Sequence, residues 1–308
     1  VTAAAIVLFA LFFVMMIAGT PIGVALGLAG TVAVWMADLG LLSVPTNLYT
    51  GIAKYPLLAI PMFVLAGAIF DRSGVADRLI RFAIAIIGDR PGSLAVVTIM
   101  VAMFLGGISG SGPANAAAVG GIMIGYMQRA GYPPAFSASV VGAAAATDIL
   151  IPPSIAFIVY SVMVPQASVQ ALFAAGMIPG ILAGLALVLP AILISRRHGF
   201  GAGGQRVARP PFWRSLREAA WGLFAPVLIL GGMRIGLFTP TEAAVAAVAY
   251  GLFVGVVVHR TMSLRDLPRM MAEAADISAV ILIIVALASI FAWAGSTLGL
   301  FSPIARAI

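Results

Sequence analysis

Two short stretches combine helix-breaking glycine or proline with polar side chains inside the long apolar runs of this chain. The first is Ser109-Gly110-Ser111-Gly112-Pro113-Ala114-Asn115, inside the uncharged run Pro91–Gln128 that Arg90 and Arg129 flank. Two helical arms, about 91–108 and 113–128, meet there. A turn between them leaves the last carbonyls of one arm and the first amides of the next unpaired. Helix N-termini attract anions, and unwound carbonyls coordinate cations. Serine hydroxyls and an asparagine carbonyl add hard oxygen ligands. Ser109, Ser111, Gly112 and Asn115 are therefore the candidate ligands for Na⁺, with glycine letting the backbone turn close to the ion. A plain turn between two full spans is the alternative.

The second stretch is Thr147-Asp148-Ile149-Leu150-Ile151-Pro152-Pro153-Ser154, inside a helix over about 134–163. Its two prolines lack backbone donors, which frees carbonyls upstream. In a membrane those carbonyls need other helices, water or an ion. Thr147, Asp148, Pro152, Pro153 and Ser154 are the candidate substrate-binding residues. Asp148 is the only charge between Ala130 and Ser195. An acid at that depth is expensive and is read first as functional. It also fits a protonated group or a cap on backbone amides.

Other motifs read as structure. In Thr239-Pro240-Thr241-Glu242, threonine at the N-cap, proline at N1 and glutamate at N3 form a capping box. Gly19/Gly23/Gly27 and Gly176/Gly180/Gly184 recur every four residues, the spacing of helix packing. The Gly-rich tip lacks Gly-Lys-Ser/Thr, which excludes a P-loop. There is no Ser/His/Asp set and no pair of carboxylates at depth, so no catalytic machinery is expected. Cysteine is absent, and the two histidines, His198 and His259, both neighbour arginine. An ion gradient is the energy source that fits.

The elements that must position these residues are membrane helices. Hydrophobic residues make up 62% of the 308, charged residues 9%, and mean hydropathy is +1.15. Water is the wrong solvent for such a surface, and a lipid bilayer fits. The fold class is an all-α polytopic membrane protein. The net charge of +7 invites nucleic acid, but the arginines gather at the ends of apolar runs, as the positive-inside rule expects. Helices are predicted at about 3–18, 21–37, 57–71, 168–195, 219–235, 240–258 and 277–298, besides those above. Thr20 and Pro21 open the second. Some amphipathic helix is expected within 38–55, and interfacial segments over 71–90 and 263–275. The N-terminal VTAAAIVLFA has no basic region and reads as a first span rather than a signal peptide. The stretch 196–217, with Arg196, Arg197, Arg206, Arg209, Arg214 and Arg217 and no acid, is the cytoplasmic loop that sets orientation.

An internal repeat is also visible. Thr20-Pro21 recurs 219 positions later as Thr239-Pro240, and Ala68-Ile69-Phe70 is echoed 221 positions later by Ser289-Ile290-Phe291. The two halves start on opposite sides, the plan of an inverted repeat. Residues 1–218 form the first repeat, with hairpin 91–129 and broken helix 134–163, and residues 219–308 begin the second. The second hairpin is expected near position 311, beyond Ile308.

SGSGPANAAAVGGIMIGYMQRAGY (109–132), LIPPSIAFIVYSV (150–162), FAAGMIPGILAGL (173–185) and RIGLFTPTEAAVAAVAYGL (234–252) together resemble the large membrane subunit of tripartite ATP-independent periplasmic (TRAP) transporters. The resemblance implies an elevator-type secondary transporter of the bacterial inner membrane, taking up organic acids such as C4-dicarboxylates or sialic acids with Na⁺. It implies a periplasmic substrate-binding protein that delivers the carboxylate solute and a small four-helix membrane subunit as partners. The hairpin tip at Ser109, Ser111, Gly112 and Asn115 is then re-entrant, facing Pro152-Pro153. Asp148 is not part of the family pattern. An ion-coupled carboxylate carrier without a binding protein is the alternative, and an intramembrane enzyme using Asp148 and Ser111 lacks a second catalytic group.

Overall fold

The computed structural model describes residues 2–88, 90–202 and 208–300, with Thr2 described by its backbone only. Arg206 of the basic loop lies outside these residues. Among the described residues every regular element is helical, and the chain forms two compact units, residues 1–57 with 276–308 and residues 58–275.

The first unit holds α1 (Thr2–Ile17), α2 (Ile22–Met36), α3 (Ser43–Ile52) and the end of α14 (Leu267–Thr297). The predicted split between α1 and α2 is present. Gly19 takes φ +82°, a left-handed conformation that glycine adopts without cost. No atom would meet a side chain there, so Gly19 serves the turn and not the packing stripe. Thr20 does not cap α2. Pro21 holds the N-cap position at φ −53° and ψ 135°, one residue later than expected, and its carbonyl accepts from Ala25 N at 3.0 Å. Gly23, Gly27 and Gly30 do pack. A Cβ at Gly27 would lie 2.6 Å from Leu287, and one at Gly30 would lie 2.9 Å from the Phe291 nitrogen and 3.0 Å from Ile290. Close backbone approach of this kind is how membrane helices associate without a hydrophobic drive. The rings of Phe9 and Phe12 close the layer against Phe291 at 5.6 and 5.5 Å. The expected amphipathic helix within 38–55 is α3, which buries no residue.

The second unit runs through α4 (Ala59–Arg72), α5 (Val75–Ile87), α6 (Ser93–Ser109), α7 (Gly112–Arg129), α8 (Pro134–Ala146), α9 (Ile155–Met163), α10 (Val169–His198), α11 (Phe212–Pro226), α12 (Gly232–Arg234) and α13 (Pro240–Leu252). In α5, Leu79, Ile80 and Ala83 are buried as its amphipathic pattern predicts, while Ile86 in the last turn stays exposed. Gly251 of α13 faces Ile69 and Phe70 of α4, and a Cβ there would meet them at 3.0 and 3.1 Å. The Thr239 capping box forms as expected: Thr239 N donates to the Glu242 carboxylate at 2.8 Å, and Glu242 N donates to Thr239 Oγ1.

Two predicted boundaries move. The segment 263–275 does not stand apart from a helix at 277–298, because α14 is continuous from Leu267 to Thr297. Pro268 falls in its first turn, where proline is tolerated, and Met-Ala-Glu-Ala-Ala that follows is strong helix former. Likewise α11 starts at Phe212, inside the stretch expected as loop. What remains of that loop is tied back by Arg209, whose Nε donates to the Ala85 carbonyl at 2.9 Å near the end of α5.

The helices Tyr55–Arg72, Val169–His198, Phe212–Arg234, Pro240–Val258 and Leu264–Thr297 are long and apolar enough to cross a membrane. On α10, Ile178, Leu182, Leu185, Leu189 and Leu193 are exposed at helical spacing, opposite the buried Gly176, Gly180 and Gly184. An apolar stripe left bare on one side and a glycine stripe packed on the other describe a lipid-facing helix of a multi-pass membrane protein.

Candidate functional site

The two stretches singled out in sequence meet. α6 ends at Ser109, Gly110 takes φ +63°, and Ser111 is the extended N-cap of α7. α8 ends at Ala146 and continues as one 3₁₀ turn, Thr147–Ile149, before the chain bends through Ile151–Pro153 and restarts as α9 behind Ser154. The Pro152–Pro153 peptide is cis.

Glycines bring the hairpin onto the break. A Cβ at Gly110 would fall on the Pro153 carbonyl oxygen, and one at Gly112 would sit 2.8 Å from the Ala145 carbonyl. A Cβ at Gly106 would overlap the Asp148 carboxylate. From the other side, Gly176 and Gly180 of α10 press on Leu150 and Ile151. The ends of α6 and α8 and the beginnings of α7 and α9 therefore converge. Two ends offer carbonyls and two offer amides.

Asn115 and Asp148 form the polar centre. Asp148 is 0% and Asn115 1% exposed. Asn115 Nδ2 donates to the Ala102 carbonyl at 2.8 Å and to Asp148 Oδ2 at 2.5 Å. These bonds use up the amide's donors and leave Asn115 Oδ1 and Asp148 Oδ1 buried without a hydrogen-bond partner among the described residues. Leaving such oxygens bare is costly. Asn115 Oδ1 and Asp148 Oδ1 are the oxygens of this centre that could hold a cation.

The remaining sequence candidates have different surroundings. Ser109 is buried, and its Oγ accepts from Ser111 N at 3.4 Å. Ser111 is half-buried, and its side chain makes no cap bond to α7 among the described residues. Thr147 Oγ1 donates to the Ala144 carbonyl, and Ser154 Oγ to that of Ile149, both at 2.7 Å. Their hydroxyls thus satisfy carbonyls at the break. Asp148, grouped in sequence with the substrate residues, shares its cluster with Asn115 from the ion group. Gly106 and the Ala102 carbonyl were not singled out. The doubled Gly106-Gly107 was the one available signal for the first, and a backbone carbonyl leaves none.

The base of the hairpin is fixed as well. Gly92 N, at the entry to α6, donates to the Tyr132 hydroxyl at 2.9 Å, beyond the end of α7. Tyr132 stacks on Phe136, in the first turn of α8. The hairpin and the broken helix thus share one base.

The family described as "Tripartite ATP-independent periplasmic transporter, DctM component" matches residues 9–308. The C4-dicarboxylate TRAP transporter large permease protein DctM of Rhodobacter capsulatus is 36% identical over 304 residues, 94% of this chain and 69% of the relative. The isethionate TRAP transporter permease protein DctMQ of Oleidesulfovibrio alaskensis is 40% identical over 286 residues, 92% of this chain and 45% of the relative. The sialic acid TRAP transporter large permease protein SiaM of Vibrio cholerae is 34% identical over 280 residues, 91% of this chain and 65% of the relative. The chain spans from about half to about two thirds of the length of these relatives. With a family match over nearly its whole length and the helical membrane architecture described above, this chain belongs to the DctM family of TRAP transporter permeases, a family of transporters and not of enzymes.

Proposed function

We propose that this chain carries the first hairpin and broken helix of an elevator-type, Na⁺-coupled importer of organic carboxylates in the bacterial inner membrane. The observation that carries the reading is the buried Asn115–Asp148 pair, with an oxygen on each side chain that has no hydrogen-bond partner among the described residues. A carboxylate far from water needs a counter-charge, and Na⁺ supplies it. The Ser111 hydroxyl and the Ser109 and Gly112 backbone complete the oxygen-rich surroundings. The N-termini of α7 and α9 at the same junction offer amides to a solute carboxylate, with Thr147, Pro152, Pro153 and Ser154 shaping the break.

The depth of the junction supports a re-entrant hairpin. From the shared base, α8 rises 13 residues, about 20 Å, and α6 rises 17 residues, about 25 Å. Both stop short of the roughly 30 Å of a bilayer core.

A reciprocal packing supports the inverted repeat of residues 1–218 and 219–308. Gly30 packs on Ile290 and Phe291 in one unit, and Gly251 packs on Ile69 and Phe70 in the other. Each partner in the second contact is related to one in the first by 221 positions.

By the same reading, a periplasmic substrate-binding protein delivers the solute and a small four-helix membrane subunit braces the permease. Among the solutes in the names of the relatives, C4-dicarboxylate and sialic acid are carboxylates and isethionate is a sulfonate; the carboxylates set the class to test first. The full-length permease, its small subunit and its binding protein are reconstituted in liposomes and given a radiolabelled carboxylate. Uptake is expected only with an inward Na⁺ gradient and with the binding protein. Equal uptake when K⁺ replaces Na⁺ contradicts the coupling. Uptake that persists without the binding protein points to the carrier alternative.

A further inference from the structure

A second polar feature lies away from the hairpin, where α5, the start of α11 and the residues after α13 enclose a cleft of about 490 Å³. Arg78 and Arg81 enter it from α5, and Arg214 and Arg217 from α11. Glu218 is the one carboxylate in the lining, and Arg214 pairs with it at 3.0 Å. Asp77 on α5 also acts on Arg78, yet it makes no ion pair there among the described residues. Arg78 and Arg81 donate instead to backbone carbonyls, those of Gly74 at 2.9 Å and Asp77 at 3.4 Å. Burial, and then the neighbouring Arg81, lowers the Arg78 pKa, against the upward pull of Glu218 and Asp77. His259 shares the cleft. Its Nδ1 donates to the Ser73 carbonyl at 2.9 Å, and its buried Nε2 has no partner among the described residues.

The surroundings indicate the kind of anion that fits. Beside the cleft, Trp221 and Phe224 of α11 and Phe253 and Val257 after α13 are exposed and apolar. α5 is amphipathic, with its apolar face buried and Arg81 outward. Basic side chains at the rim of an exposed aromatic and aliphatic belt mark the membrane–water boundary. A soluble phosphate would use the arginines and leave the belt bare, whereas a phospholipid uses both. We infer that this cleft binds the phosphate of an anionic phospholipid, with the acyl chains lying along Trp221, Phe224 and Phe253.

The test uses the purified full-length permease with its membrane partner. Native mass spectrometry reads retained phosphatidylglycerol against phosphatidylcholine of the same chain length, with and without inorganic phosphate. Phosphatidylglycerol is expected to be preferred and to survive millimolar inorganic phosphate. Arg81→Gln/Arg217→Gln removes two exposed cations and is expected to cut the preference roughly tenfold or more. The lysine counterpart keeps it. Arg196→Gln/Arg197→Gln removes the same charge elsewhere and leaves it unchanged. The inference is overturned if the Arg81/Arg217 variant retains the lipid like the wild type. It is equally overturned if the Arg196/Arg197 variant loses as much, or if inorganic phosphate displaces the lipid.

Discussion

Asn115 and Asp148, 33 positions apart, are joined by an amide-to-carboxylate hydrogen bond of 2.5 Å in a region closed to water. The bond orients both groups and leaves a second, buried oxygen on each, that of Asp148 lying against Gly106 of α6. Local sequence delivers the two breaks, and this bond locks them together.

Coupling between the two side chains is therefore expected to be measurable. In a double-mutant cycle on the full-length permease, Asn115→Ala and Asp148→Ala should be non-additive in thermal stability by about 0.5–3 kcal/mol. Additive losses would mean that the two side chains do not depend on each other.

Gly106 tests the close approach of the hairpin. A methyl group there overlaps the Asp148 carboxylate, so Gly106→Ala should destabilise by about 1–3 kcal/mol, the usual cost of overpacking. Gly121, whose Cβ would meet nothing within 4 Å, is the control: Gly121→Ala should leave the melting temperature the same or higher.

The Thr239 capping box is a structural device formed by Thr239 and Glu242. Thr239→Ala should lower stability by about 1 kcal/mol and leave the Na⁺ dependence of uptake unmoved. A change in Na⁺ dependence would give Thr239–Glu242 a binding role.

His259 gives a pH signature. Burial, the largest effect, and then Arg78 lower its pKa, against the upward pull of the Ser73 carbonyl and Glu218. The unfolded chain, near the ordinary value of about 6.5, then takes up the proton first as pH falls. The stabilisation from neutral His259 is complete above that value and is lost as pH drops through the folded pKa. His259→Gln should flatten the fall of melting temperature below about pH 6.5. An unchanged slope would remove His259 from the account.

How far the sequence carried each of these features depends on range. The breaks at Gly19–Pro21, Ser109–Asn115 and Pro152–Pro153 are written in glycine and proline, whose effects are local. The Gly176/Gly180/Gly184 stripe was readable because its spacing is that of a helix face. The Asn115–Asp148 bond was not, since nothing in either stretch names its partner, and Asp148 was grouped with Thr147 and Ser154 by neighbourhood alone. The four-arginine cleft was hidden in the same way. Arg78 and Arg81 read as one face of an interfacial helix and Arg214 and Arg217 as part of a loop, and only the packing of α5 on α11 joins them. The continuity of α14 was missed because charge and polarity before Asp276 suggested an interfacial segment, whereas helix propensity there is unbroken.

The central claim is that Asn115 and Asp148 hold the coupling cation. Na⁺ titration of solute uptake by the reconstituted full-length system tests it most directly, comparing wild type with Asp148→Asn, which keeps the shape and removes the charge. The account predicts that half-saturation for Na⁺ rises roughly tenfold or more, about 1.4 kcal/mol in binding, while the protein still folds and assembles. An Asp148→Asn transporter with wild-type Na⁺ dependence would contradict it.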